Sequence, residues 1–519
     1  MTTKHKPTRI DKFLQNYFPE RAVRRERARA ELQFLSRAGS YEGASKAISS
    51  FENYITALTD PDQSVEYERD ILIERSRDYV RNKPIAGAIL NRICDHAVGA
   101  QGLALQSTID AAYLGMTPEQ AQAWQRKTEN EFRLFAETPE CDHARTENFY
   151  EKTYSTLYSE LEGGDCFSLL TSQERPGSPY NLKVQSIEAE RVSNPDGQQN
   201  SSTMSFGIEK DATGVPQRVH ISNQFPLSTM TSAAMSWVSR ELFSSTGRRN
   251  VLHHLDQIRP GQSRGVPLLS PVSEKILNLS TLSQAELLAS VLNSYYVVFI
   301  KGAKGDTGIT RKNPTAGTTQ QSNQKVKMGS GAVMTLPENV EVDFADPNRP
   351  SHLFAPFFEA IVAEIGSRVG VPKSLILMSF DRSYSASRGE VLLAWVYFLS
   401  RRLHMANSFC QPVYEAFLDE AVAKGHIAAP GYFSDPRIRK AYAGSPYAQW
   451  RGPSMPAIDV LKEAKAESVK INESKTKSRK QSASDVDGTD WDTSVYPRLT
   501  EENDKLKTMA ENEDSGNTE

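Results

Sequence analysis

The sequence predicts an α+β chain built from several substructures. Apolar residues recur at helical spacing through much of residues 69–162 and 270–424. Short strand-like runs separated by turn residues occupy the region from 165 to about 255. A length of 519 residues also exceeds what one simple core organises, because domains average roughly 150 residues.

Composition excludes several classes of protein. The net charge of −3 argues against a chain that binds phosphates over its whole surface. No run of 18 apolar residues is present, so no transmembrane helix is expected, and residues 1–7 lack the apolar core of a secretion signal. The four cysteines lie far apart without a C-x-x-C pair, which predicts isolated thiols rather than a zinc cage or disulfides.

Three helical segments are expected before the strands. Residues 69–98 predict one helix or two in tandem, with Pro84 as the break. Residues 117–136 predict another, for which Thr117 is a good N-cap followed by proline. The helical pattern of 147–162 stops at a pair of glycines.

The region after these helices predicts an antiparallel sheet subdomain. Its β-rich runs are separated by turn sequences that contain proline, glycine, asparagine and aspartate. The runs are 166–170, 182–187, 206–208 and 218–221.

A helical hairpin follows. Ser270 and Pro271 predict the cap and first position of a helix to about 295, and a second helix over 351–369 ends at Gly370. Residues 296–349 between them have little apolar content, and their strand-like runs are 295–300, 332–336 and 340–344. Such a hairpin needs neighbours, most simply copies of itself around a ring, although an ordinary hairpin in a monomer core remains possible.

The last third of the chain predicts a loop, a long helix and a tail. Residues 379–387 are polar and predict a loop, and an amphipathic helix then extends from about Ser387 to about Lys424, where Gly425 ends it. Beyond 456 the chain is expected to be helical to about 475 and disordered near its end, because residues 481–519 hold eleven acids against three basic residues.

One motif imitates a catalytic site. Gly261 to Gly265 fits the G-x-S-x-G nucleophile elbow around Ser263, and Asp381 and His404 follow in hydrolase order. An elbow needs a strand before the serine and a helix directly after it, but prolines flank this motif on both sides. A serine hydrolase using Ser263 is therefore kept only as an alternative.

Other site classes fail on spacing. No Gly-Lys-Ser/Thr tripeptide occurs, so the chain is not a P-loop ATPase. The acidic run 485–490 does not place glycine and glutamate where a calcium loop needs them, and the histidines are scattered. No catalytic residue, metal ligand or cofactor is predicted. A third hypothesis, a nucleic-acid binder, rests on the basic arm 1–30 with nine basic residues against three acids.

The chain resembles the lambda-like family of tailed-bacteriophage portal proteins through most of its length. The similar segments are 36–44 (SRAGSYEGA), 75–82 (RSRDYVRN) with 98–99, 164–167 (GDCF), 207–209 (GIE), 259–267 (RPGQSRGVP), 370–372 (GVP), 384–388 (YSASR), and 450, 458–459 and 462–464 near the C-terminus. The most specific of them is 259–267, in which the apparent hydrolase motif becomes the turn before a stem helix. Val460 departs from the family pattern, where proline is expected.

The resemblance implies an α+β, portal-type ring subunit with a mainly helical wing, a two-helix stem, a small α/β clip and a helical crown with a disordered acidic tail. The implied parts are a basic arm (1–30), wing (31–264), outgoing stem helix (265–295), clip (296–349), returning stem helix (350–370), channel or tunnel loop (371–387), long helix and wing return (388–455), and crown with tail (456–519).

The resemblance also implies a function without enzymatic activity; the alternative is a serine hydrolase or capsid-maturation protease using Ser263. A ring of twelve subunits at one capsid vertex would be the channel for DNA entry during packaging and exit during ejection. Its partners would be the terminase large subunit, the head–tail connector or adaptor proteins, the major capsid and scaffolding proteins, and double-stranded DNA in transit, with no membrane. The protein would reside in the virion, and in the host cytoplasm during assembly.

Three sets of site residues follow from this assignment. The channel-loop set is Lys373, Phe380, Asp381, Arg382, Tyr384 and Arg388. The clip set, expected to dock terminase and then the connector, is Lys301, Lys304, Arg311, Lys312, Lys325 and Lys327. The stem-packing set is Leu287, Val291, Phe358 and Ile361.

Overall fold

A computed structural model describes most of the chain. The described residues are 58–226, 234–294, 298–302, 340–344, 353–380, 383–455, 460–483, 491 and 495–516. The chain divides into two compact units, Met1–Asp60 and Pro61–Glu519. Nearly all of the first unit, including the basic arm 1–30, lies outside the described residues, so the architecture below is that of the second unit.

The tandem helices predicted at the start of this unit are confirmed. α1 spans Arg69–Asn82 and α2 spans Pro84–Ala97. Pro84 occupies the first turn of α2, where its missing N–H costs nothing, and Lys83 between the helices is extended. The buried faces of α2 include Ile89 and Ile93.

The next two helices begin with capping boxes. α3 spans Pro118–Ala136, and Thr117 and Gln120 bond reciprocally across its first turn. α4 spans Phe149–Gly163 and is capped in the same way by Asn148 and Glu151. Each box satisfies two otherwise unpaired backbone N–H groups, so both helix starts are fixed locally by sequence.

Two antiparallel sheets follow. Their strands are β2 (Asp165–Ser172), β3 (Leu182–Glu188), β4 (Met204–Ser205), β5 (Ile208–Lys210), β6 (Pro216–Ser222), β7 (Trp237–Glu241) and β8 (Val251–Leu255). The three-stranded sheet has the order β3-β2-β8, and the four-stranded sheet has the order β4-β5-β6-β7. β1 (Ala104–Leu105) pairs instead with β11 (Trp450–Arg451), which brings distant parts of the chain together.

The antiparallel subdomain is confirmed, with one strand placed wrongly. Residues 206–208 do not form one strand, because Phe206 and Gly207 make a turn with positive φ between β4 and β5. β7 and β8 are not among the predicted runs, and β8 places the adjacent His253 and His254 on opposite faces of its sheet.

The helical hairpin is present with corrected starts. A 3₁₀ turn at Ser270–Val272 precedes α5 (Ser273–Ser294), so Ser270 does not cap α5 as expected. α6 spans Phe354–Val369 and ends at Gly370, whose left-handed φ of 76° suits glycine. Between them β9 (Val298–Gly302) pairs antiparallel with β10 (Val340–Phe344). The expected run 332–336 lies outside the described residues.

The predicted loop 371–387 is shorter than expected. The short helix α7 spans Lys373–Leu377 directly after Pro372, and α8 (Tyr384–Met405) begins three residues before Ser387. Leu375 and Ile376 of α7 are buried, so apolar packing holds this turn in place. Only the segment around 378–383 remains as a candidate loop.

The long helix continues beyond α8 through a π-helical segment. Ala406–Cys410 forms this segment, and α9 spans Gln411–Ala423 before the chain turns at Gly425. The prediction of one long helix to about Lys424 is confirmed, and the π-helical segment is a local change in winding that was not predicted. α9 contributes to a core centred on Phe132, whose ring lies 5.2–5.9 Å from those of Phe149, Phe417 and Trp450.

The C-terminal region contains more helix than its composition predicts. After α10 (Pro436–Ala443) and α11 (Pro446–Gln449) come α12 (Val460–Ser468), α13 (Arg479–Ser482) and α14 (Tyr496–Gly516). The prediction of disorder near the end is therefore wrong for α14, which is rich in good helix formers such as Glu, Lys and Leu. No helix among the described residues is long and apolar enough to cross a bilayer.

Candidate functional site

A fully buried ionic centre lies beneath the turn that leads to α5. Asp165, the first residue of β2, accepts hydrogen bonds from Arg264 Nε at 2.6 Å and from Arg69 Nη2 at 2.9 Å. His253 Nε2 is 3.0 Å from the same carboxylate. Burial alone would raise the pKa of Asp165, but Arg264 and Arg69 lower it well below its ordinary value.

Arg264 connects this centre to the surrounding loops. Its Nη1 donates to the carbonyl oxygens of Val192 and Phe206, each at 2.8 Å, and its Nη2 donates to that of Ala189 at 2.5 Å. The guanidinium also lies 5.1 Å from the centre of the Phe167 ring. Through these hydrogen bonds Arg264 attaches the turn 259–267 to the backbone segments that connect the strands.

The glycines of this region permit a close crossing of two backbones. A Cβ on Gly265 would overlap the carbonyl oxygen of Gly164, and one on Gly164 would lie 2.6 Å from the backbone nitrogen of Val266. Gly164 also has a φ of 88°, which other residues rarely adopt. The end of α4 and the turn before α5 therefore touch main chain to main chain.

The serine of the apparent nucleophile motif is a structural residue of this turn. Ser263 Oγ donates to Asp62 Oδ2 at 2.5 Å, and its backbone N–H donates to Asp62 Oδ1 at 2.7 Å. His404 pairs with Glu160 at 3.0 Å, and Asp381 lies outside the described residues. The serine–histidine contact that a hydrolase requires is not formed in the described part of the chain, and no helix starts directly after Ser263.

The stem-packing residues fall into two groups. Leu287 and Val291 on α5 are exposed in the single subunit, with 66% and 43% of their surface accessible. Phe358 and Ile361 on α6 are partly buried and pack against the main core. A salt bridge between Lys275 and Glu364 joins the two helices.

The channel-loop residues that the structure describes lie on different elements. Lys373 forms a salt bridge with Glu359 of α6, and Phe380 is more than half exposed. Asp381 and Arg382 lie outside the described residues. Tyr384 is the first residue of α8 and Arg388 lies in its first turns, so both belong to a helix rather than to a loop.

The clip residues are largely outside the described part of the chain. Lys301 lies on β9, opposite Glu341 of β10 in the register. The other five are outside the described residues: Lys304, Arg311, Lys312, Lys325 and Lys327. The docking role of this set therefore stays a prediction.

Sequence reasoning did not predict the Asp165 centre. It singled out the segments containing Asp165 and Arg264, but only as landmarks of the resemblance. The sequence offered only a chemical indication of these buried charges. Asp165 begins a largely apolar strand, and Arg264 lies between small residues near two prolines. Buried charges of this kind are almost always paired, although their partner is not encoded by spacing.

Comparison with known proteins decides the family. Residues 49–402 match the family model described as phage portal protein, lambda family. The chain belongs to this family. Portal protein B of Escherichia phage lambda is 24% identical over 409 residues, covering 75% of each chain. The portal protein of Escherichia phage N15 is 23% identical over 411 residues, covering 75% of this chain and 76% of that one.

A solved chain from the virion of a native gene transfer agent particle also aligns with this family member. It has 13% sequence identity and a TM-score of 0.43, over 79% of this chain and 92% of the other. The match to the family model confirms the predicted family, and the described helices and strands confirm the predicted α+β class. The protein is a portal protein of the phage virion, and the hydrolase alternative has no support.

Proposed function

We propose that this portal protein assembles into a closed ring at one vertex of the phage head and conducts double-stranded DNA inward during packaging and outward during ejection. The observation that carries the proposal is the family match over residues 49–402, which includes the helical hairpin and all but the last three residues of α8. The ring would contain twelve subunits, as the resemblance implies.

The parts of the ring follow the order of elements. α5 and α6 are the two stem helices, and the β9–β10 pair belongs to the clip between them. The helices and sheets before residue 265 form the wing, together with the long helix α8–α9. The helices from α12 onward form the crown. This assignment is supported by the antiparallel strand pair at the far end of the hairpin.

The partners act at the two ends of this conduit. The clip docks the terminase large subunit and afterwards the connector or adaptor proteins, and capsid and scaffolding proteins surround the wing. Terminase supplies ATP hydrolysis, so the portal needs no catalytic residue of its own. Assembly takes place in the host cytoplasm before the ring becomes part of the virion.

Imaging of the purified protein tests the ring. Negative-stain micrographs and native mass spectrometry should show closed rings with a central hole. Leu287→Asp should lower the fraction of rings, because a carboxylate would be desolvated in the packed stem. Leu134→Asp on α3 is the matched control, since Leu134 is similarly exposed and lies outside the stem. Exclusively monomeric protein at micromolar concentration would contradict the proposal.

Ser263→Ala tests the hydrolase alternative. The substitution removes one hydrogen bond to Asp62 and should leave phage assembly intact. Loss of proteolytic processing or of ester hydrolysis in this variant, with rings still formed, would instead assign a catalytic role to Ser263.

A further inference from the structure

The outer face of α8 is apolar over most of its length. Five large residues on it are exposed, and we call them the α8 stripe: Leu392, Leu393, Val396, Leu399 and Leu403. Four of them recur at spacings of four, three and four residues, which places them on one side of the helix. Leu393 and Val396 expose 78% and 69% of their surface.

This stripe is additional to the packing of α8 in its own subunit. Val391, Ala394 and Phe398 lie on the opposite side and are buried in the main core. The helix is thus apolar on two faces, which is typical of a helix buried on both. A subunit alone covers only one of them.

The two arginines within the span of the α8 stripe are turned away from it. Arg401 pairs with Asp256 at 2.5 Å, and Arg402 donates to the carbonyl oxygens of Ala97 and Pro453. Arg388 lies one turn before Leu392 on the same side of the helix, but every exposed residue from Leu392 to Leu403 is uncharged. The stripe itself is therefore unsuited to DNA phosphates, and its partner is an apolar protein surface.

α5 carries a second uncovered face of the same kind. Its outer residues at heptad-like spacing form what we call the α5 stripe: Leu277, Thr281, Gln284, Leu288 and Val291. Ile276 and Leu279 on the other side are buried. From Leu277 onward the exposed residues of α5 are uncharged, whereas α6 exposes charged residues such as Glu364 and Arg368.

The two stripes are similar in length and both are uncharged, and Thr281 and Gln284 make the α5 stripe the more polar of the two. The α5 stripe extends roughly 21 Å and the α8 stripe roughly 17 Å at 1.5 Å per residue. A closed ring with more than two subunits needs two different surfaces on each subunit that fit one another. We infer that the α8 stripe of one subunit packs against the α5 stripe of the next. This inference rests on the proposed ring and identifies its head-to-tail contact.

Cysteine cross-linking tests the contact with little background, because all four native cysteines are buried. Gln284 lies at the centre of the α5 stripe and Val396 near the centre of the α8 stripe, so they approach each other whether the helices run parallel or antiparallel. Gln284→Cys combined with Val396→Cys should give, on mild oxidation of preformed rings, a ladder of covalent oligomers beyond the dimer. Each single variant should give none.

Leu134→Cys combined with Val396→Cys is the matched control and should not form a ladder. Rings that form without any Gln284–Val396 cross-link would overturn the inference while leaving the ring itself intact. Covalent dimers of the Val396→Cys single variant would also overturn it, because they require two α8 stripes to face each other. Absence of rings from the unmodified protein would defeat both proposals.

A pair of opposite charges introduced at the two positions gives a second test that does not depend on oxidation. Val396→Lys should lower the fraction of rings at least tenfold, since the ammonium would be buried without a partner. Gln284→Glu added to the same chain should restore most of the rings, because the two charges meet across the contact. Failure of the second substitution to restore a folded Val396→Lys variant would count against the contact.

Discussion

At the scale of residues, the Asp165 centre should contribute strongly to the stability of the fold. Asp165→Asn leaves Arg264 and Arg69 buried without their shared carboxylate, which should cost on the order of 3–5 kcal/mol in the free energy of unfolding. Urea unfolding followed by circular dichroism measures it. Asp70→Asn is the control, because Asp70 also contacts Arg69 at 3.7 Å but its side chain is 93% exposed. Equal losses in the two variants would show that burial is not the cause.

The pair of His404 and Glu160 should make stability depend on pH. Burial alone would lower the pKa of His404, but the hydrogen bond and charge of Glu160 raise it above its ordinary value of 6.5. A raised pKa stabilises the fold below the unfolded pKa, and this contribution is lost as pH rises through the folded pKa.

Comparison of melting temperatures between pH 6 and pH 9 tests this pair. The unmodified protein should lose more stability over that window than His404→Gln. His254→Gln should have the opposite effect and steepen the loss: burial and the charges of His253 and His404 lower the pKa of His254 to about 3, so its contribution to stability grows as pH rises through the unfolded pKa. A slope that His404→Gln leaves unaltered would contradict the prediction.

Residue pairs were the part of the structure least accessible to sequence. Asp165 and Arg264 lie 99 positions apart, and no periodicity joins them. Capping is different: Thr117 and Gln120 are three residues apart, so the start of α3 could be predicted from local chemistry alone. Contacts within one turn can therefore be predicted from sequence, whereas contacts across the core cannot be predicted in this way.

At the scale of elements, the predicted channel loop illustrates the same limit. The resemblance placed all of residues 371–387 in one channel loop, yet Leu375 and Ile376 are buried and Lys373–Leu377 is helical. A five-residue helix is too short to be predicted by periodicity, because it forms through tertiary packing. α5, α6 and α8 were predictable because each repeats its apolar pattern over four or more turns.

The remaining loop around 378–383 gives a prediction about DNA. Arg382→Glu should leave ring assembly and terminase binding intact but shorten the DNA that is packaged or retained, because an acidic loop repels phosphates in a narrow channel. Gel analysis of genome length in particles measures this. Arg126→Glu on α3 is the control for the change in charge. Full-length genomes at normal yield would mean that the loop does not meet DNA.

At the scale of the whole molecule, the clip gives a prediction about assembly. Lys325→Glu together with Lys327→Glu should weaken capture of terminase by preformed rings and reduce its dependence on salt, because electrostatic complementarity sets encounter rate and orientation. Pull-down at low and high ionic strength measures both. The control is Arg126→Glu with Lys127→Glu, an adjacent basic pair on the helix α3. Undiminished capture by the clip variant would exclude this docking role.

The order of the elements along the chain could be predicted from the sequence, whereas the exposed faces of individual helices could not. The order of helices, antiparallel sheets, hairpin and long helix is visible in the sequence because each element carries its own periodicity. The uncovered stripes on α5 and α8 are not visible in this way, because apolar residues on an outer face look the same as core residues until the burial of the opposite face is known. α14 also differed from the prediction of disorder, because the helix propensity of its residues outweighed its acidic composition.

The crossing of Gly164 and Gly265 has a mechanical consequence. Force that acts along α5 would reach its first residues at the turn where Gly265 crosses Gly164. Side chains can change rotamer under tension, but two backbones in contact have no such freedom to yield. The crossing should therefore resist displacement of the start of α5 relative to the end of α4.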